Sequence, residues 1–192
     1  MSLEHATLSD PNLHEPKGIA TANSGKVYVA DGAGSGDWSY PSGSRYGEIY
    51  INSGVTSQTL SAASAYSKLN PTGEWTANGF SGVTLDASNG QFTLPTAGTY
   101  LLHFFITFTT AAIAAGSKYY FKYAVNGTPG DRILSVQKNT AGSDTVTCAA
   151  SGILTASAND IISMYVAGDG TSSSTAITPL DAGLNAVLLK VA

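Results

Sequence analysis

Three histidines, one cysteine and thirteen carboxylates are the side chains of this sequence best suited to acid–base, nucleophilic or metal chemistry near neutral pH. A serine or cysteine nucleophile needs a base within hydrogen-bonding reach and a third group that orients the base. His5 and His14 lie in a Gly-, Ser- and Pro-rich stretch, and His103 lies inside an apolar run. No Gly-x-Ser-x-Gly elbow stands between a strand pattern and a helix pattern. His103 therefore reads as a core or interface histidine. Cys148 is the single cysteine, which excludes an intramolecular disulfide and a multi-cysteine zinc site. Its apolar neighbours, Val146 to Ala150, favour a buried, unreactive thiol.

Other candidate motifs have simpler readings. Asp31 to Asp37 reads Asp-Gly-Ala-Gly-Ser-Gly-Asp, but Ala33, Ser35 and Ser42 stand where a calcium loop needs Asp, Asn or Glu. The Trp-Ser-Tyr-Pro that follows does not open a helix, as a dinucleotide loop requires. Asp86, Asp131, Asp144, Asp160, Asp169 and Asp181 could supply a carboxylate pair for glycoside hydrolysis. Most of them fall at expected turns, where Asp hydrogen-bonds its own backbone. Asn126-Gly127-Thr128 matches a glycosylation sequon but also has the form of a hairpin turn. Trp38, Trp75, Tyr40 and Tyr46 could form an aromatic platform for a sugar or a partner surface, although ordinary packing of the arm onto the sandwich accounts for them better. The expectation is a protein without catalytic, cofactor-binding or metal-binding residues.

Composition narrows the partners. Charged residues are 11% of the chain and the net charge is -4, so no block of basic residues is available to neutralise a phosphate backbone. Nucleic acid is not an expected partner. Nor is membrane, because no run of about 18 apolar residues and no signal-like segment occurs. Synthesis in a cytoplasm is the expectation.

The elements are those of an all-β sandwich. Residues 1–45 read as an extended N-terminal arm with one strand-like piece, Lys26 to Ala30, and residues 46–192 as a single antiparallel two-sheet domain. Runs rich in Val, Ile, Thr, Tyr and Phe predict strands over 46–52, 80–86, 90–94, 97–109, 117–126, 131–137, 144–155, 160–167 and 184–191. Asn89-Gly90 and Asn126-Gly127 predict tight reversals, and Ser61 to Leu69 a connecting loop.

Within 97–109 the period of two puts Tyr100, Leu102, Phe104, Ile106 and Phe108 on one face and Leu101, His103 and Phe105 on the other. Both faces are largely apolar. An antiparallel strand with one face in water should alternate apolar with polar, so the second face needs cover. Tyr119, Phe121 and Tyr123 make a further apolar face on the next strand, and Leu184, Ala186 and Leu188 oppose Val187, Leu189 and Val191 on the last. Leu101, His103, Phe105, Tyr119, Phe121 and Tyr123 are the candidate subunit interface.

Gly90 to Leu102 reads Gly-Gln-Phe-Thr-Leu-Pro-Thr-Ala-Gly-Thr-Tyr-Leu-Leu, which resembles the G-x-F-x-x-P-x-x-G-x-Y-x-F signature of the tumour-necrosis-factor-like (TNF-like) jelly roll shared with complement globular heads. Tyr123 to Gly127 and Ala158 to Met164 resemble two further strand motifs of that family, so the resemblance spans roughly residues 75–191. Asn159 stands where the family usually has glycine. The resemblance implies a ten-stranded jelly roll that assembles as a homotrimer, with His103 and Phe105 facing the three-fold axis.

Asp10 to Ala22 resembles the start of tailed-phage virion proteins that decorate the head or form its fibres. That resemblance implies a capsid decoration protein on the head surface, its arm bound to the major capsid protein through Leu13, His14, Glu15, Pro16 and Lys17. A receptor-binding or adhesive virion protein that holds a host glycan on the loop Asp169 to Thr178 is the alternative, and an enzyme acting on surface polysaccharide is a more distant one.

Overall fold

The computed structural model describes residues 24–30, 33, 36–41, 43–52, 56–60, 65–69, 74–110, 116–131, 134–137, 145–170 and 176–192, with the backbone only for 134–137. Contacts divide the chain into two units, Met1–Ser42 and Gly43–Ala192. The anchor residues expected at Leu13, His14, Glu15, Pro16 and Lys17 lie outside the described residues.

The first unit contains a hairpin of β1 (Val27–Ala30) and β2 (Gly36–Ser39), antiparallel with Val27 opposite Ser39. Tyr28 meets Trp38 edge-on at 5.5 Å between ring centroids, and Lys26 Nζ lies 5.4 Å from the centre of the Tyr40 ring. The β1 strand was legible as Val-Tyr-Val; β2 was not. Gly36 is required there because a Cβ would sit 2.2 Å from the Val29 carbonyl oxygen.

The second unit is a two-sheet sandwich. In chain order its strands are β3 (Tyr46–Asn52), β4 (Gln58–Thr59), β5 (Ser67–Lys68), β6 (Thr76–Ser81), β7 (Thr84–Asp86), β8 (Gln91–Leu94), β9 (Gly98–Thr109), β10 (Lys118–Val125), β11 (Thr128–Pro129), β12 (Leu134–Gln137), β13 (Thr145–Ala156), β14 (Asp160–Gly168) and β15 (Ala176–Val191). One antiparallel sheet runs β11-β10-β14-β8-β7, with β12 beside β10 and β5 beside β14. The other runs β13-β9-β15-β3-β6, with β4 beside β15. The antiparallel two-sheet sandwich expected from alternation is therefore present. Among the described residues no helix is long and apolar enough to cross a membrane.

The core is the inward set of each strand. On β9, Tyr100, Leu102, Phe104, Ile106 and Phe108 are all buried, and they face Tyr119 and Phe121 of β10. Phe108 lies 5.2 Å from Tyr119 and 5.7 Å from Phe121, and Phe104 lies 5.6 Å from Phe121. Such tilted and edge-on contacts suit the aromatic quadrupole and add to the burial of each ring. The Tyr100 hydroxyl reaches the Thr96 carbonyl at 2.8 Å, which satisfies the one polar atom of that ring.

This arrangement corrects the expected interface. Tyr119 and Phe121 are 0% and 1% exposed within a single chain, so their side chains are already committed to the sandwich core. A strand with one apolar face, as β10 has, needs only one partner layer, and the opposite sheet supplies it.

Turn chemistry explains two further outcomes. Asn126 and Gly127 take φ of 51° and 78° and join β10 to β11 in a two-residue hairpin, as expected. Asn89-Gly90 does reverse the chain between β7 and β8, but through a 3₁₀ turn over Ala87–Asn89 closed by Gly90 at φ 59°. Asp86 drives that longer loop: its Oδ1 accepts from the Asn89 backbone and from Ser88 Oγ. The Asn89 side-chain amide donates to Oδ2 at 2.8 Å, and this bond foremost, with those from Ser88 and the Asn89 backbone, favours the ionised carboxylate and holds the Asp86 pKa below its ordinary value. At the position where the resembled family has glycine, Asn159 takes φ 69°; asparagine tolerates that region better than other side chains.

The strand expected over 80–86 is instead two strands in different sheets, parted at Gly82 with φ 59°. Arg45 Nη1 donates to the Gly82 carbonyl at 2.9 Å and fills the space a side chain would need. The last strand starts at Ala176 rather than 184. Pro179 hid its first half, since proline removes a ladder donor; the register shift between Pro179 and Asp181 accommodates it.

Candidate interaction face on the six-stranded sheet

The outward side chains of β13, β9, β15 and β3 fall into register rows across the second sheet. Ile153, Leu101, Val187 and Tyr46 form one row; Ser151, His103, Asn185 and Glu48 the next; Ala149, Phe105, Gly183 and Tyr50 the third; Thr147, Thr107, Asp181 and Asn52 the fourth. Apolar and polar rows alternate along the strands. Ile153 is 59% exposed, Tyr46 43% and Leu101 37%.

The polar row is internally bonded. His103 Nδ1 and Ser151 Oγ are 2.8 Å apart. Glu48 is engaged on the far side: Asn78 of β6 donates to Oε2 at 2.6 Å, and Asn185, with its amide nitrogen turned toward the carboxylate, donates to Oε1 at 3.0 Å. The row therefore pairs histidine with serine and carboxylate with amides. No carboxylate orients the histidine in these bonds, so they do not form a nucleophilic relay. Thr107 and Thr147 hydroxyls lie 3.0 Å apart in the fourth row.

The aromatic row depends on a glycine. A Cβ on Gly183 would fall 2.2 Å from Phe105 Cε1, so the Phe105 ring lies flat over the β15 backbone where no side chain intervenes. Its centroid is 6.2 Å from that of His103. Gly183→Ala should therefore cost about 1–3 kcal/mol through overpacking. Urea unfolding would measure it, and Phe105→Ala in the same chain should recover most of the loss; two additive losses would refute the contact.

Of the expected interface residues, Leu101, His103 and Phe105 lie together on this face. Tyr123 does not: it lines a cleft of about 140 Å³ with Leu102, Val125 and Ile153, and its hydroxyl donates to the Ala150 carbonyl at 3.0 Å. Glu48 and Tyr50 were missed, and Tyr46 was named only for an aromatic platform, although their alternation with Gly47, Ile49 and Ile51 in Tyr46–Asn52 carried the signal. Tyr46 and Glu48 border a depression of about 340 Å³ that also touches Asn78, Asn185 and Val187.

The remaining candidates have local roles. Asp160 accepts from Ser157 N at 2.7 Å and from Asn126 Nδ2 at 2.8 Å, and Asp169 accepts from Lys118 N at 2.9 Å. Both are turn and strand-end carboxylates. Asp131 and Asp181 are exposed, and Asp144 lies outside the described residues, as does the middle of the loop Asp169 to Thr178. Trp75 is 5% exposed and donates to the Leu69 carbonyl at 3.2 Å, so it belongs to the core. Burial pushes the Cys148 thiol up to about 11, which leaves little thiolate at neutral pH. Among the described residues no group of three His, Cys, Asp or Glu could hold a metal ion.

No protein-family model matches the chain, and no curated protein matches it. Solved structures do. The globular domain of zebrafish complement 1qA protein aligns at 13% identity and a TM-score of 0.48, covering 77% of this chain and 99% of that one. The Eiger TNF from S. frugiperda aligns at 12% identity and a TM-score of 0.51, covering 77% of this chain and 95% of that one. At such identity the likeness to the Eiger TNF speaks to architecture, and with the two antiparallel sheets it shows that this chain has the TNF-like jelly-roll fold.

Proposed function

We propose that the protein is a non-catalytic structural component of a virion, a phage capsid decoration protein that trimerises through the outward face of the six-stranded sheet. The observation that supports this reading most is the composition of that face. Leu101, Phe105, Val187, Tyr46, Tyr50 and Ile153 stand in register across four strands, where a sheet facing water should carry mainly polar side chains. A second copy of the chain would cover them, in keeping with the trimer implied by the family resemblance.

In this reading residues 1–45 are the anchoring arm, with Leu13, His14, Glu15, Pro16 and Lys17 in contact with the major capsid protein. A partner that binds only the assembled shell stabilises it by mass action. Three linked copies of a weak arm contact raise avidity by roughly 10² to 10⁴ when geometry allows. The site of action is the head surface, after synthesis in the host cytoplasm.

Light scattering coupled to size exclusion should give the mass of three subunits; a monomer would overturn the trimer. The full chain should then co-sediment with capsids lacking it, and a chain without residues 1–17 should remain trimeric but stay in the supernatant. Retained binding by the shortened chain would refute the anchor. A chain that ignores capsids but binds host-surface glycan through the loop Asp169 to Thr178 would instead be an adhesive virion protein.

A further inference from the structure

On the outward side of the seven-stranded sheet, three groups from three strands meet in a chain of hydrogen bonds. Lys68 of β5 donates from Nζ to Gln91 Oε1 of β8. Gln91 in turn donates from Nε2 to Asp86 Oδ2 of β7 at 3.1 Å. Register brings them together: β5 and β8 both pair with β14, Lys68 opposite Tyr165 and Gln91 opposite Ser163, and β7 pairs with β8 so that Asp86 faces Gln91. An amine, a carboxamide and a carboxylate in this order are the components of an amide exchange. None of them is used by the face described above.

We propose that Lys68 and Gln91 are the site of a self-catalysed cross-link, an isopeptide bond between Lys68 Nζ and Gln91 Cδ formed with release of ammonia. Nζ, once deprotonated, attacks Cδ; the C–N bond to Nε2 then breaks. The proton that Nζ sheds ends on Nε2, which departs as ammonia, so no oxidant, metal or other reactant is required. Fixed geometry removes the entropic cost of bringing amine and amide together, which is one part of the barrier to this reaction in solution.

The surroundings favour each step. Burial disfavours the ammonium form and lowers the Lys68 pKa, with Asp86 opposing that shift only partly, so a larger fraction of the amine is nucleophilic. The Gln58 Nε2 bond to the Lys68 carbonyl at 2.8 Å holds the strand that presents the amine. Asp86 is kept ionised by its bonds to Asn89, Ser88 and Gln91. A carboxylate beside Nε2 does little for the neutral amide but stabilises the positive charge that this nitrogen gains as it leaves, which is where stabilisation accelerates a reaction. The product would tie β5 to β8 covalently, both already paired to the same edge of β14.

Intact mass spectrometry of the purified full chain, fresh and after incubation at pH 8, tests the proposal. A loss of about 17 Da is expected from the ammonia released in the step above, with a digest peptide joining Lys68 to Gln91. Lys68→Arg and Gln91→Glu should both keep the unmodified mass, and Asp86→Asn should slow the loss by about tenfold or more, in line with removing one charge-stabilising group. Succinimide formation at Asn89-Gly90 or Asn126-Gly127 would also remove ammonia. A loss that maps to those peptides, or that persists in Lys68→Arg, overturns the proposal, as does an unchanged mass after incubation.

Discussion

Phe108→Ala should lower the unfolding free energy by about 3–5 kcal/mol, the range for emptying a buried aromatic site. Its neighbour along the strand, Thr107→Ala, should cost about 1 kcal/mol or less. The contrast follows from alternation on one strand. Phe108 is fully buried against Tyr119 and Phe121, and those rings sit in a rigid sandwich that cannot collapse into the vacated volume. Thr107 points the opposite way and gives up a single hydroxyl contact with Thr147. Urea unfolding followed by fluorescence would report both. Equal losses at the two positions would mean that the inward and outward faces of β9 have been assigned wrongly.

The same alternation marks how far the sequence alone reaches. Strands such as Tyr46–Asn52 and Gly98–Thr109 were legible because a period of two survives over seven or more residues. Thr76–Ser81 carries Thr-Ala-Asn-Gly-Phe-Ser with nearly every side chain exposed. An edge strand held by backbone pairing to β3 alone leaves no such pattern. The two-residue strands β4, β5 and β11 are too short to show any period, and the pairing of β4 with β15 and of β5 with β14 depends on distant partners.

For the outward face of the six-stranded sheet, apolarity on both sides of β9 grouped Leu101, His103 and Phe105. It misassigned Tyr119 and Phe121, since the composition of β10 does not reveal whether its single apolar face turns toward the other sheet or away from it. Glu48, Asn78 and Asn185 come from three strands remote in sequence, and only the register makes them one bonded group. Lys68, Gln91 and Asp86 were illegible as a set for the same reason.

His103→Asp should convert the proposed trimer to a monomer at micromolar concentration while leaving the sandwich folded. In the single chain the new carboxylate is well tolerated, because Ser151 Oγ lies where it can donate and solvent reaches the other oxygen. In the trimer three carboxylates would be drawn close to one axis, between the apolar rows of Leu101 and Phe105, with Glu48 adding negative charge two strands away. Desolvating an unpaired carboxylate costs several kcal/mol per ion, and a trimer multiplies that cost by its three copies. His103→Asn keeps a polar side chain without the charge and should stay trimeric. Light scattering separates the outcomes, and far-ultraviolet circular dichroism checks that the aspartate chain retains its sheets. A trimer unchanged by the aspartate would remove His103 from the interface and, with it, the assignment of this face to subunit contact.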